Sequence, residues 1–271
     1  MAKTINVKGV KFGGKNPLAM IAGPCVIESR EGCMAIAEKL VQLSKKQNIP
    51  LVFKASYDKA NRTSINSYRG PGIEAGLEIL AEIKEKYNVP VLTDVHSVEE
   101  IKIASKMVDI IQLPAFLIRQ TDIVVAAGES GAVVNVKKAQ FAAPWDMKNV
   151  VKKIEATGNT KIMLTERGAS FGYNTLVADM RSLIIMAEMG YPVIFDATHS
   201  VQSPGGQGDT SGGDGRFAPY LAKAAAAVGV DGMFIETHPN PTEALSDGPN
   251  MIPLADLSKL WKKLDAIDKI K

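Results

Sequence analysis

Ala132-Val133-Val134-Asn135-Val136-Lys137-Lys138 is an apolar run of strand length that ends in two lysines. A helical pattern over 146–157 follows, then Gly158, then a second run of the same kind, Lys161-Ile162-Met163-Leu164-Thr165-Glu166-Arg167. Outward from this pair the rhythm repeats to both ends of the chain. Strands are expected at 18–25, 51–56, 91–96, 109–114, 132–138, 161–167, 192–199 and 231–238, and helices at 29–47, 73–87, 98–107, 121–130, 146–157, 179–189, 217–228 and 254–269. Asn48, Asn88, Gly131, Gly158, Gly190 and Gly229 each stand just before a strand, where a left-handed helix cap suits Gly or Asn. Strands that alternate with helices form a parallel sheet, and eight such units close it. The expected fold class is therefore α/β, a (β/α)8 TIM barrel. Ahead of it, Ile5 and Val7, the pair Lys8-Gly9, and Val10 and Phe12 read as a β-hairpin. The hairpin segment, 1–16, is expected to cap the bottom of the barrel, 17–271.

A chain of 271 residues has the length of one such domain, about 250 residues, and no linker rich in Pro, Ser or charge divides it. Its 46% apolar and 23% charged residues suit a large core, and a net charge of +3 with dispersed basic residues leaves no footprint for nucleic acid. The N-terminal stretch has no apolar h-region, and no run approaches the ~20 apolar residues that span a bilayer. No membrane partner is expected, and a cytoplasmic location is. Two cysteines, Cys25 and Cys33, are too few for a disulfide framework; Cys33 falls in a helical pattern as a small buried residue, whereas Cys25 ends a strand. Two strand-to-helix loops, 57–72 and the glycine-rich 200–216, are long enough to read as binding or covering loops.

In this architecture the active site lies at the C-terminal ends of the strands. Those ends carry Cys25, Lys54, Asp94, His96, Gln112, Lys137, Lys138, Glu166, Arg167, Asp196, His199, Glu236 and His238. Barrel closure makes the last strand a neighbour of the first, so Cys25, His199 and Glu236 should converge, with Asp247 available from the loop beyond. Sulfur, nitrogen and oxygen donors together favour a transition metal over Mg2+. A core thiol beside a hydrogen-bonded histidine is the other reading, because no compact Cys/His spacing is present. A second group, Lys54, Lys59, Arg62, Lys137, Lys138 and Arg167, makes a cationic ring suited to phosphate and carboxylate oxygens. For any single member, a structural ion pair with Asp58, Asp94, Glu166 or Asp196 is the alternative. Asp94 and His96, two residues apart, project to one side of their strand, either to hold a hydroxyl and move a proton or as a structural pair.

The segments Ile21-Ala22-Gly23-Pro24-Cys25, Phe53-Lys54-Ala55-Ser56, Asp58-Lys59-Ala60-Asn61-Arg62, Gln112-Leu113-Pro114-Ala115-Phe116, Asn135-Val136-Lys137-Lys138, Thr165-Glu166-Arg167-Gly168, Asp196-Ala197-Thr198-His199 and Glu236-Thr237-His238-Pro239 resemble, in order, those of the 3-deoxy-D-manno-octulosonate 8-phosphate synthases. The resemblance covers nearly the whole chain. It implies condensation of phosphoenolpyruvate with D-arabinose 5-phosphate in lipopolysaccharide sugar synthesis, by a homotetramer. It also implies that Lys54, Lys59, Gln112, Lys137 and Arg167 hold phosphoenolpyruvate, that Asn61, Arg62 and Thr63 hold the sugar phosphate, and that Arg119 reaches a neighbouring subunit's site. Cys25 matches the branch that needs a divalent metal, where the other branch usually has Asn. Ser246 before Asp247 resembles the metal-requiring branch, and Gly248-Pro249 after it the metal-free one. The expected ligands are Cys25, His199, Glu236 and Asp247, for Zn2+, Fe2+ or Mn2+; the expected catalytic residues are Cys25, Lys59, Asp94, His96 and His199. Rival readings are the related synthase acting on erythrose 4-phosphate, which loop 58–62 with Thr63 fits less well, a Schiff-base aldolase using Lys137 or Lys138, and a noncatalytic sugar-phosphate binder.

Overall fold

The computed structural model describes residues 2–206 and 212–270. Eight strands, β1 (Ala19–Gly23), β2 (Leu51–Lys54), β3 (Val91–Asp94), β4 (Ile110–Leu113), β5 (Val133–Lys137), β6 (Ile162–Glu166), β7 (Val193–Asp196) and β8 (Gly232–His238), pair in parallel in chain order. Strand β8 pairs with both β7 and β1, which closes the expected barrel. Helices α1 (Arg30–Gln47), α2 (Ile73–Tyr87), α3 (Val98–Ala104), α4 (Thr121–Glu129), α5 (Met147–Glu155), α6 (Arg181–Ala187), α7 (Ala218–Val228) and α8 (Leu257–Asp268) surround it.

Both faces of each strand are covered, and this is why the strands read as nearly continuous apolar runs. Met20, Phe53, Ile111, Val134, Leu164 and Phe195 point outward and pack under the helices. Each helix returns an apolar stripe, such as Cys33, Ile36, Ala37 and Leu40 of α1. All six anticipated cap residues adopt positive φ, from 50° at Asn88 to 105° at Gly229. Helices α3 and α6 stop short of the expected 107 and 189 because their last turns tighten: Met107 N donates to the Ala104 carbonyl and Met189 N to that of Met186.

The strands of the N-terminal hairpin, Ile5–Val7 and Val10–Phe12, pair antiparallel around Lys8 (φ 48°) and Gly9 (φ 93°). Two successive positive φ values give the turn a twist that matches the strands. Ile5, Val7, Val10 and Phe12 pack against Ala19, Ile21, Val52, Leu92, Ile110, Val133, Met163, Ile194 and Phe234, the inward residues of the barrel's lower half. The hairpin therefore plugs the barrel at its N-terminal end.

Three short pairings at the mouth were not anticipated: Ala169–Ser170 with Leu176–Val177, Gln202–Ser203 with Gly212–Gly213, and Ile252–Pro253 beside the end of β8. Two-residue strands are too short to show a period. The second pairing brackets the glycine-rich loop, whose centre, 207–211, lies outside the described residues. Among the described residues no helix is long and apolar enough to cross a membrane.

Candidate active site

Successive side chains of a strand point to opposite faces, so the residues one step above the apolar floor also face inward. They are Lys54, Asp94, Gln112, Asn135, Thr165, Asp196 and Glu236, with Lys137 and Arg167 one step higher. Most of them line a cavity of about 350 Å³ at the C-terminal mouth, joined there by Lys59, Asn61, Thr63, His96, His199 and Asp247. Lys138, in contrast, turns outward with the alternation. Its Nζ lies 3.4 Å from Glu166 Oε1 and near the carbonyls of Ala139 and Ala142. Glu166 in turn accepts from the backbone N–H groups of Arg167 and Gly168 and from the Ser182 hydroxyl. Lys138 and Glu166 thus form a structural pair outside the cationic ring.

The inward cations Lys54, Lys59, Lys137 and Arg167 are each at most 9% exposed. Lys54 Nζ donates to Glu236 Oε1 (2.6 Å) and to the Cys25 carbonyl (2.9 Å) and lies 3.5 Å from that of Pro24, so its protons are committed to the protein. Lys137 pairs with Asp196 and stands 3.4 Å from the centre of the Phe234 ring. Burial pulls its pKa down to about 8 against the attraction of Asp196. Lys59 makes no side-chain hydrogen bond among the described residues, and burial is outweighed by the nearby carboxylates of Glu236, Asp94 and Asp247, which hold it protonated. Arg167 reaches only the neutral Gln202 Oε1 (2.8 Å), and its Nη1 has no partner among the described residues. Among the described residues, Lys59 and Arg167 are therefore the two of these four cations with N–H donors left to offer an anion.

Of the expected anion-binding arginines, Arg62 stands elsewhere, and Arg119 is the one expected to serve a neighbouring subunit. Arg62 bends away from the cavity: its Nη1 donates to Ser246 Oγ (2.6 Å) and its Nη2 to the Leu245 carbonyl (3.3 Å). Arg119 is exposed at the start of α4, outside the cavity of its own chain. Gln112 does face the cavity. Thr165 Oγ1 donates to Asn135 Oδ1 (2.7 Å) and Asn135 Nδ2 to Gln112 Oε1 (2.9 Å), a relay that leaves the Gln112 amide N–H groups to face the cavity.

Cys25 Sγ and the carboxylates of Glu236 and Asp247 come together within 4.8 Å of one another. Gly23 makes this possible, because a Cβ there would fall 1.8 Å from the Lys54 carbonyl and force β1 away from β2. The buried thiol lies 3.1 Å from Asp247 Oδ2 and 3.2 Å from Ser246 Oγ, and burial with the nearby Glu236 pushes its pKa up. His199 flanks this trio and is not part of it. Its Nε2 is 3.7 Å from Glu236 Oε2, and its Nδ1 is 2.8 Å from Asp196 Oδ2. A carboxylate at Nδ1 turns Nε2 toward the trio, which is the second-sphere arrangement that metal-binding histidines use. A soft thiol, two carboxylates and an imidazole fit a divalent transition ion better than a hard one.

Asp94 and His96 also meet in the cavity, Oδ2 to Nε2 at 3.2 Å. Asp94 Oδ1 is buried with no partner among the described residues. Sequence reasoning missed Tyr57 and Glu100 behind this pair, Gln202 between Arg167 and Asp247, and Phe234 beneath Lys137. Only Glu100 carried a signal, the Ser97-Val98-Glu99-Glu100 spacing of a helix start.

Comparison with known proteins places this chain among relatives. Residues 2–270 match the model of the DAHP synthetase I family. Similar proteins include those of Geobacter metallireducens (58% identical over 100% of this chain and 99% of the relative), Geotalea uraniireducens (59% over 100% and 99%) and Granulibacter bethesdensis (59% over 98% and 95%). Each is named 2-dehydro-3-deoxyphosphooctonate aldolase.

Proposed function

The chain belongs to the DAHP synthetase I family, and from that premise we propose that it joins phosphoenolpyruvate to D-arabinose 5-phosphate, giving 3-deoxy-D-manno-octulosonate 8-phosphate and inorganic phosphate. The observation that carries the reading is the convergence of buried Lys54, Lys59, Lys137 and Arg167 on one cavity beside the Cys25, Glu236 and Asp247 trio. Buried cations are normally paired; Lys54 and Lys137 have partners in Glu236 and Asp196, whereas Arg167 and Lys59 keep donors for an anionic ligand.

C3 of phosphoenolpyruvate forms a bond to the aldehyde carbon as the C2–C3 double bond is spent, water adds at C2 while one of its protons goes to the former aldehyde oxygen, and the C2–O bond to phosphate breaks as the remaining hydroxyl at C2 loses its proton and becomes the carbonyl. Arg167 and Lys59 hold the phosphate and carboxylate of phosphoenolpyruvate, with the Gln112 amide as a neutral donor. Holding both reactants in one cavity removes much of the entropic cost of a two-substrate step. Lys137 Nζ, with a pKa drawn down to about 8 by burial, gives a proton to the departing phosphate. Asp94 Oδ1 accepts from a hydroxyl of the sugar, and Asn61 and Thr63 bind its phosphate, with Arg62 swinging in from Ser246. Cys25, His199, Glu236 and Asp247 would hold a divalent Zn2+, Fe2+ or Mn2+ ion, which supplies Lewis-acid polarisation of the aldehyde when bound. The cytoplasm as location, a role in lipopolysaccharide synthesis and a homotetramer with Arg119 serving a neighbour are parts of the same proposal.

Phosphate release tests it. Release is expected only when phosphoenolpyruvate and arabinose 5-phosphate are both present, is expected to stop after prolonged chelation, and is expected to return with Mn2+, Fe2+ or Zn2+. Preference for erythrose 4-phosphate would overturn the substrate, and full activity in metal-free protein would overturn the ion.

A further inference from the structure

Glu100 sits at the third position of α3, whose N-cap Ser97 accepts from the Glu100 N–H at 3.2 Å. In a capping box the glutamate side chain reaches back to the N-cap's own N–H. Here it reaches one residue further. Glu100 Oε2 accepts from His96 N (2.7 Å), faces His96 Nδ1 (2.9 Å) and accepts from the Tyr57 hydroxyl (2.7 Å). The Tyr57 ring stands edge-on to the imidazole, 5.9 Å away, and fixes its plane. On the other side, His96 Nε2 faces Asp94 Oδ2 at 3.2 Å. A carboxylate oxygen only accepts, so an imidazole with a carboxylate at each nitrogen needs a proton on both. Asp94 is held ionised by its hydrogen bond from His96 and by the Lys59 charge, which overcome burial.

We propose that Glu100, backed by Tyr57, is a positioning residue that locks His96 as a doubly protonated imidazolium at the cavity wall, so that His96 holds Asp94 through its second N–H, contributes a fixed positive charge and does not act as a base. The kinetic consequence rests on the synthase reading above; the protonation state does not. The charged groups facing His96 are Asp94 and Glu100, with Tyr57 beside it and Lys59 across Asp94. Although burial opposes it, the hydrogen bonds from Asp94 and Glu100 push the His96 pKa up to about 9.

With three histidines in the chain, ring 15N NMR resolves each. Both His96 nitrogens are expected to stay protonated through neutral pH with a midpoint near 9. In Glu100→Gln the midpoint falls, and kcat drops by up to about 100-fold through misplacement alone while KM for phosphoenolpyruvate changes less. A merely structural glutamate would lower Tm and leave the His96 titration where it was, which would overturn the proposal, as would an ordinary imidazole midpoint in the wild type. If Glu100→Gln does not fold, Glu100→Asp keeps the charge but withdraws it by one methylene. A lowered His96 midpoint there supports the proposal and an unmoved one ends it. Because the titration is read without substrate, a failed assay of the synthase leaves it decisive.

Discussion

Asp196 shows how much of the site hangs on one carboxylate. It is completely buried. Oδ2 takes Lys137 and His199 Nδ1, and Oδ1 takes the N–H groups of Thr198 and His199 and the Thr198 hydroxyl. Although burial opposes ionisation, His199 and Lys137 hold its pKa well below the usual carboxylate range. A depressed carboxylate contributes stability that is complete above about pH 4 and lost as pH falls through its folded value. Asp196→Asn keeps the shape but leaves the Lys137 ammonium buried without a counter-charge, at an expected cost of about 3–5 kcal/mol in urea unfolding at pH 7. The gap to wild type should narrow as the solution is acidified toward pH 3; a gap that is constant with pH would mean that Asp196 is not ionised. At this scale the sequence was partly legible. The meeting of Cys25 and Glu236 follows from counting strands around a closed barrel, and Asp247 lies only eleven residues beyond Glu236. Lys138 was misplaced because neighbouring strand residues face opposite ways, and strand 5 presents one lysine to each side. Arg62 was placed in the cavity because a long side chain on a loop has no period to reveal its direction; its partners at Leu245 and Ser246 are 183 and 184 residues away in the chain.

Among the elements, the strands were easiest to read, since burial on both faces leaves an apolar run with few interruptions. Helix ends were fixed where a left-handed residue stops the chain and blurred where tightened turns do. The N-terminal hairpin was readable from Lys8-Gly9 between alternating residues, and its packing gives it a definite energetic role. Phe12 is fully buried among the inward side chains of the barrel floor. Phe12→Ala should cost about 3–5 kcal/mol, measured by denaturant unfolding, whereas Lys11→Ala on the opposite, exposed face should change stability by less than about 0.5 kcal/mol. Equal effects would mean that the hairpin is an appendage and not part of the core. The small pairings around the mouth escaped notice because their order comes from the barrel ends that they cover, not from their own composition.

Across the whole molecule, the hairpin and floor give the barrel interior an apolar lower half beneath a charged upper half. That partition was foreseen in outline from the hairpin and the polar strand ends, while the balance of charge in the upper half was not, because it depends on which cations are already paired. Among the described residues, an interior stoppered at one end opens at the other. Whatever binds deepest is expected to arrive before its companion, so that addition follows a fixed order. Initial-rate and product-inhibition patterns should show ordered addition, and a high concentration of the reactant held at the rim should jam the entrance against the one beneath. Random-order kinetics would mean that the cul-de-sac opens elsewhere.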